Sequence, residues 1–190
     1  MNNQQISRWR ISLTGIILLA ELGHLLWEYF TGGVRSHHML NRADLPALSN
    51  WWGILLLPAL TWFLTGRSHT RMLRASGEHT TNATLLLSSG VGFGGALLFG
   101  IGLSVAFTNN YENAAAFLFF GMFVVGTLLP VYRAECVLGF VVGMTFTFGA
   151  VLPFAIGSII AAISAILHRL IYPVMVRCWK WLRWRSVPPP

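Results

Sequence analysis

Long apolar stretches constrain the fold of this chain more than any other feature of its sequence. They cover residues 11–30, 50–66, 83–107, 114–132 and 136–176. An α-helix rises about 1.5 Å per residue, so about 20 apolar residues are enough to cross a hydrocarbon core of about 30 Å. Charged residues make up only 10% of the chain, against roughly 25% in ordinary soluble domains. The sequence therefore predicts an all-α integral membrane protein.

The last apolar stretch determines how many helices are expected. As one straight helix, residues 136–176 would reach about 60 Å, twice the thickness of the hydrocarbon core. Two spans over 136–153 and 156–176, with a reversal near residues 153–157, fit the bilayer better. We therefore predict a bundle of six transmembrane helices in one domain over residues 1–176. Five helices, the last one bent, stay open as an alternative because no polar turn marks this reversal.

The distribution of basic residues predicts the orientation in the membrane. Thirteen Lys and Arg against six Asp and Glu give a net charge of +7. With six spans, the arginines that flank the apolar stretches fall on one side, whereas the connection at residues 108–113 contains no Lys or Arg. Because basic loops are retained in the cytoplasm, both termini are expected there, and the expected location is the inner (plasma) membrane of a bacterium. The flanking arginines are Arg8, Arg10, Arg67, Arg71, Arg74 and Arg133.

Residues 177–190 follow the last predicted span as a basic, tryptophan-rich tail. Trp179, Trp181 and Trp184 alternate with cations, a pattern typical of an anchor at the level of the lipid headgroups. The expected partners of this tail are anionic headgroups. Nucleic acid is not an expected partner, because the positive charge is gathered at the chain ends and in one connection rather than on one face.

The third predicted span is rich in glycine, in the sequence SSGVGFGGALLFGIG. Small residues let two helices approach closely without an intervening side chain. We therefore expect this span to pack tightly against another helix, and it also offers a route to an oligomer. The glycines concerned are Gly90, Gly92, Gly94, Gly95, Gly100 and Gly102.

Ionisable residues interrupt the outer half of the first predicted span. Glu21, His24 and Glu28 are three and seven positions apart, so on a helix they lie within roughly 60° of one another. An ionisable group at this depth costs several kcal/mol unless it is paired, protonated or bound to a metal. The three residues are therefore candidates for a functional site, with Glu21 and Glu28 in the catalytic roles.

The connection after the first span supplies further ligand candidates. It begins with Gly32 and Gly33, which let the chain fold back over the helix end. Imidazole and carboxylate groups are the ligands that suit zinc, iron or manganese. The sequence thus predicts a transition-metal site at the outer leaflet. Its predicted metal ligands are His24, His37, His38 and Asp44.

Our first functional hypothesis is a small membrane-embedded metal-dependent enzyme that acts on a lipid-like or membrane-soluble substrate. Hydrolysis by a metal-activated water is favoured over oxidation, because the second Glu-x-x-His motif that a di-iron bundle requires is absent. No Ser-His-Asp order, P-loop or dinucleotide fingerprint occurs. Cys136 and Cys178 lack the C-x-x-C spacing of a thiolate site.

Three other interpretations stay open. The same Glu and His stripe could bind and pass a proton or cation, as a carrier or channel. The protein could be an accessory subunit that docks a larger membrane complex. The stripe could also be structural, with Glu28 paired to Arg35 or Arg42 and Glu21 bonded to His24 only to fix helix packing.

Overall fold

The computed structural model describes residues 3–34, 36–38, 47–75 and 82–185. The fold is all-α, as predicted, apart from one small two-stranded ribbon. In the described residues, the helices long and apolar enough to cross a membrane are Ser7–Phe30, Leu86–Thr108 and Val151–Trp181. The elements are α1 (Asn3–Phe30), β1 (Ser36–His38), β2 (Ala47–Ser49), a 3₁₀ turn (Asn50–Trp52), α2 (Gly53–Ala75), α3 (Asn82–Thr108), α4 (Glu112–Leu128), α5 (Ala134–Phe148), α6 (Val151–Ile166), a π turn (Leu167–Ile171) and α7 (Tyr172–Arg185).

The antiparallel ribbon brings the chain back to the end of α1. Gly32 and Gly33, just after α1, both have a positive φ, which glycine adopts at no steric cost. In the ribbon, Ser36 pairs with Ser49 and His37 pairs with Leu48. The Ser49 side chain then accepts a hydrogen bond from the Trp51 backbone N–H and caps the 3₁₀ turn. The chain therefore reaches α2 from a point beside the end of α1.

The closest helix packing is between α3 and α5, which run parallel. A side chain at Gly139 of α5 would overlap the carbonyl oxygen of Phe93. A Cβ at Gly143 would lie 2.5 Å from the carbonyl oxygen of Leu97, and one at Gly100 of α3 would lie 2.8 Å from that of Phe140. The third predicted span does pack closely through glycine, but most of the close approach comes from the glycines of α5.

Helix α5 lies at the centre of the fold and is shorter than a full span. Its Leu138 and Val141 pack with leucines of α2, while its Phe140 and Met144 pack with α3, α4 and α6. Lipid is as apolar as these side chains, so the contacts stabilise the bundle through van der Waals packing rather than release of water. With a length of about 22 Å, α5 is covered by its neighbours rather than by lipid.

The reversal after α5 lies earlier than predicted. Residues 153–157 were expected to turn, but the chain turns at Gly149, which has a φ of +67°. Pro153 instead occupies the first turn of α6, where the missing amide N–H of proline leaves no hydrogen bond unmade. Beyond α6 the helix runs through the π turn into α7, so it continues into the predicted tail. The last two predicted spans therefore correspond to α5 and to the apolar helix Val151–Trp181.

The two ends of the bundle differ in charge. At one end, Arg10 contacts α2 beside Arg67, while Arg133 bonds to Ser88 at the start of α3. We call this the basic end. The opposite end holds Glu21 and Glu28 of α1, the ribbon and the α3–α4 turn. Arginines that are far apart in sequence therefore lie at the same end of the described structure.

Candidate functional site

Helix α1 carries Glu21, His24 and Glu28 along the face that packs against the 3₁₀ turn and α2. The helical spacing puts them on one stripe, as the sequence predicts. Glu21 and Glu28 are each only 3% exposed, and the His24 side chain is 7% exposed. Three ionisable side chains are thus removed from both solvent and lipid at one end of the bundle.

The imidazole of His24 lies between the two carboxylates. Its Nδ1 is 3.6 Å from Glu21 Oε2, and its Nε2 is 3.6 Å from Glu28 Oε1. Both separations are longer than a normal hydrogen bond, and neither ring nitrogen has a hydrogen-bond partner among the described residues. The ring centroid lies 4.7 Å from that of Phe146 in α5, which covers one face of the imidazole. The three side chains therefore form a continuous Glu–His–Glu cluster.

Asn50 fixes the position of the second carboxylate. Its Nδ2 donates to Glu28 Oε1 at 2.9 Å and to Oε2 at 3.1 Å. Asn50 is 3% exposed and begins the 3₁₀ turn directly after β2. Sequence reasoning missed this residue. The available signal was an amide side chain next to Trp51 and Trp52 at a predicted helix start.

Two glycines make room for the cluster. A side chain at Gly53 would overlap the carboxylate of Glu21, and one at Gly149 would overlap the side-chain amide of Asn50. Gly53 therefore lets α2 approach Glu21, and Gly149 lets the α5–α6 turn approach Asn50. Sequence reasoning missed both, because a glycine's role in close approach depends on which element packs against it.

The structure describes only part of the predicted metal site. The backbone of His37 and His38 lies in β1, next to the strand that leads into Asn50, while their side chains and Asp44 lie outside what the structure describes. Among the described residues, no three His, Cys, Asp or Glu side chains form a metal-binding group. The two ring nitrogens of His24 point away from each other, so Glu21 and Glu28 do not share one nitrogen.

A line of buried polar atoms extends from the cluster toward the basic end. Arg10 Nε, Thr14 Oγ1, Glu21 Oε1 and both nitrogens of His24 are buried without a hydrogen-bond partner in the described residues. With Glu28, these residues lie within about 80° of one another on α1. From Arg10 to Glu28 the helix rises about 27 Å, close to the thickness of the hydrocarbon core. Buried polar atoms normally form hydrogen bonds to protein or water, so several buried atoms without a partner on one face of a helix are unusual.

Arg10 occupies the far end of this line. Its Nη2 donates to the carbonyl oxygen of Trp62 in α2 at 2.8 Å, and its guanidinium carbon lies 4.2 Å from the centroid of the Trp62 ring. A fixed positive charge therefore stands where the polar line reaches the basic end.

Comparison with known protein families, curated proteins and solved structures gives no match for this chain.

Proposed function

We propose that the protein is a membrane proton carrier whose Glu21–His24–Glu28 cluster accepts and passes protons. Carboxylates and imidazoles are the groups that form proton relays in membrane proteins. In such a relay, His24 takes a proton at one nitrogen from one carboxyl and releases the proton on its other nitrogen to the other carboxylate. A histidine whose two nitrogens face two different carboxylates supports this role.

The observation that carries the proposal is the line of unpartnered buried atoms on α1. A carrier needs a polar path between the two membrane faces, and α2–α6 offer few charged groups at mid-depth. Thr14, between Arg10 and Glu21, supplies a hydroxyl in the middle of α1. The path then follows the contact between α1 and α2, where Arg10 and Glu21 both meet α2. Water bound to these atoms would complete a hydrogen-bonded chain.

The charge at the basic end favours a carrier over an open pore. The guanidinium of Arg10, held by Trp62, opposes the free entry of cations. Proton transfer then requires this end to open, as expected for alternating access rather than for a leak.

We further propose six spans with both termini in the cytoplasm of a bacterium and the Glu21–His24–Glu28 cluster facing outward. The basic end described above supports this orientation, because basic loops are retained on the cytoplasmic side. Helix α1 starts at this end, and the long helix through α6 and α7 leaves the bundle there with Arg177 and Lys180 beyond it. Anionic headgroups are the proposed partners of that segment.

Proton flux into liposomes tests the proposal. Purified protein is reconstituted with a trapped pH-sensitive dye, and a potassium gradient with valinomycin drives proton entry. We expect flux above that of protein-free liposomes. Glu21→Gln keeps the size of the side chain but cannot accept a proton, so we expect a loss of about tenfold or more. Thr14→Val, which removes only the hydroxyl, is expected to reduce flux as well.

Matched variants control for general effects of these changes. Glu112→Gln neutralises an exposed acid at the same end of the bundle, and Thr127→Val removes an exposed hydroxyl that bonds to its own helix. Both should leave flux unchanged. Flux equal to that of empty liposomes, or equal flux in Glu21→Gln and Glu112→Gln, would contradict the proposal.

A metal-dependent enzyme is our second candidate, favoured by the surroundings of Glu28. Asn50 orients this carboxylate as outer partners orient metal ligands. In β1, the backbone of His37 and His38 lies beside the strand that leads into Asn50. For such an enzyme, His24 Nε2 and Glu28 would bind zinc, iron or manganese together with histidines of the connection between α1 and α2. Glu21 would act as general base toward a lipid-like substrate.

Metal analysis separates the two candidates. Protein purified without chelators or an affinity tag rich in histidine is analysed for zinc, iron and manganese by mass spectrometry. If the protein is a metal-dependent enzyme, we expect one metal ion per chain. His24→Gln and His37→Ala should each lose this ion, whereas His168→Gln, at the other end of the bundle, should retain it. Metal-free protein that still carries protons would exclude the second candidate and leave the first.

A further inference from the structure

A cavity of about 560 Å³ lies between α3, α4, α5 and α6, apart from the Glu21–His24–Glu28 cluster. Its volume falls within the range of about 300–1,000 Å³ that is typical of small-molecule sites. The walls are almost entirely apolar, with Phe99, Met122, Phe140 and Ile160 at the deeper level. None of the described residues that line it belongs to the cluster, so a ligand in the cavity does not require proton transfer there.

The polar groups of the cavity are gathered at one end. Ser88, Arg133 and Cys136 line it at the basic end of the bundle. The guanidinium of Arg133 donates to Ser88 Oγ at 3.2 Å, and in the described structure no carboxylate pairs with it. None of the described residues that line the cavity is acidic. The carboxylate of Glu135 lies next to Gly92 at this end, but it accepts a hydrogen bond from Ser68 Oγ of α2 at 3.0 Å. An anion in the cavity would therefore meet the positive charge of Arg133, and the neighbouring carboxylate is held by α2.

The depth of the cavity matches one leaflet of a bilayer. From Ser88 to Phe99, the lining follows α3 for about 16 Å, roughly half of a hydrocarbon core of about 30 Å. With the basic end placed at the headgroup level, as proposed above, the aromatic end of the cavity falls near the middle of the bilayer. An acyl chain with an anionic head has this length and this distribution of polarity.

Glycine opens the space. Gly95 lines the cavity, and a Cβ built at this position meets no atom within 4 Å. Gly92 and Gly157 also line it, from α3 and α6. Some glycines of α3 thus keep a cavity open instead of allowing a close contact between helices.

We propose that this cavity binds one acyl chain of an anionic phospholipid from the leaflet at the basic end, with the phosphate against Arg133 and Ser88. Charge complementarity selects the headgroup, since a guanidinium binds phosphate through directed, charge-assisted hydrogen bonds. The apolar walls hold the chain whatever the headgroup. Affinity therefore has two separable sources, one at Arg133 and one at the walls.

Native mass spectrometry of the whole protein tests this. Delipidated protein in a non-ionic detergent is mixed with equal amounts of phosphatidylglycerol and phosphatidylcholine that carry the same acyl chains. We expect one phosphatidylglycerol retained per chain, preferred over phosphatidylcholine by roughly fivefold, the effect of one basic residue near an anionic lipid. Arg133→Gln should abolish the preference. Gly95→Leu should fill the cavity and reduce the retention of both lipids.

Two matched variants act as controls. Arg67→Gln removes another arginine of the basic end, and Gly94→Leu adds the same side chain at a neighbouring open position that does not line the cavity. Both should bind as wild type does. If Gly95→Leu does not fold, Val91→Phe narrows the same cavity from its exposed side.

The outcomes that overturn the proposal are distinct. They are a protein that retains no lipid, a preference for phosphatidylglycerol that persists in Arg133→Gln, and equal retention by Gly95→Leu and Gly94→Leu. Retention of an added free fatty acid, with no phosphatidylglycerol retained, would also overturn the assignment to a membrane phospholipid.

Discussion

Replacing Gly139 with alanine is expected to lower the free energy of unfolding by about 3 kcal/mol or more, the range of severe overpacking. The added methyl group would overlap the carbonyl oxygen of Phe93 and lie 3.1 Å from the backbone nitrogen of Leu97. Backbone atoms of α3 cannot rotate away as a side chain can, so the two helices must separate. Because α5 also packs against α2 and α6, the separation disturbs the whole bundle.

The measurement is SDS-induced unfolding in mixed micelles, followed by circular dichroism. Gly102→Ala on α3 is the matched control, because a Cβ there meets no atom within 4 Å. It should be neutral or more stable by up to about 1 kcal/mol, the helix propensity of alanine over glycine. If both variants unfold at the same SDS fraction, the α3–α5 contact described here is wrong.

Removing the Asn50 side chain is expected to cost about 2–3 kcal/mol, the value of hydrogen bonds to a charged group. Asn50→Ala removes both hydrogen bonds that the Asn50 Nδ2 donates to Glu28, whose carboxylate stays buried. The neighbouring Ser49→Ala is the control. It removes a capping contact of 3.4 Å, long enough that we expect a loss below about 1 kcal/mol.

A double-mutant cycle separates this pair from general disruption. Glu28→Leu is combined with Asn50→Ala, and the four proteins are compared by the same unfolding assay. We expect a coupling energy of about 1.5–3 kcal/mol, because each change removes the same hydrogen bonds. Additive effects would mean that the two side chains do not interact.

The positions of most helices follow from local sequence. The apolar stretches predicted α1, α3 and α4, and most ends of these helices lie within a few residues of the predicted bounds. The exceptions are the start of α1 and the end of α4. Helix α4 ends at Leu128 because Leu129 precedes a proline and is extended, with a ψ of 147°. The reversal after α5 was predicted in the wrong place, because both proline and glycine signal a turn and only packing shows which one makes it.

The candidate site was also predictable from the sequence only in part. The stripe of Glu21, His24 and Glu28 depends only on helical spacing along α1, so the sequence was sufficient to predict it. Asn50 donates to Glu28 from 22 positions away, and its neighbour Gly149 is another hundred residues along. No local pattern reports such pairings. The functional roles of Glu21 and Glu28 and the metal ligands His24, His37, His38 and Asp44 stay predictions.

By itself, the sequence determined that this protein is an apolar helical bundle with acids and a histidine on one face of its first helix. These properties depend on hydrophobicity and on helical periodicity, which act between residues close together in the chain. Only the tertiary structure decided that α5 is the central helix, that its glycines form the close contact with α3, and that His24 lies between two carboxylates. Such features depend on the distances between elements, which are set by packing throughout the bundle and not by any one segment.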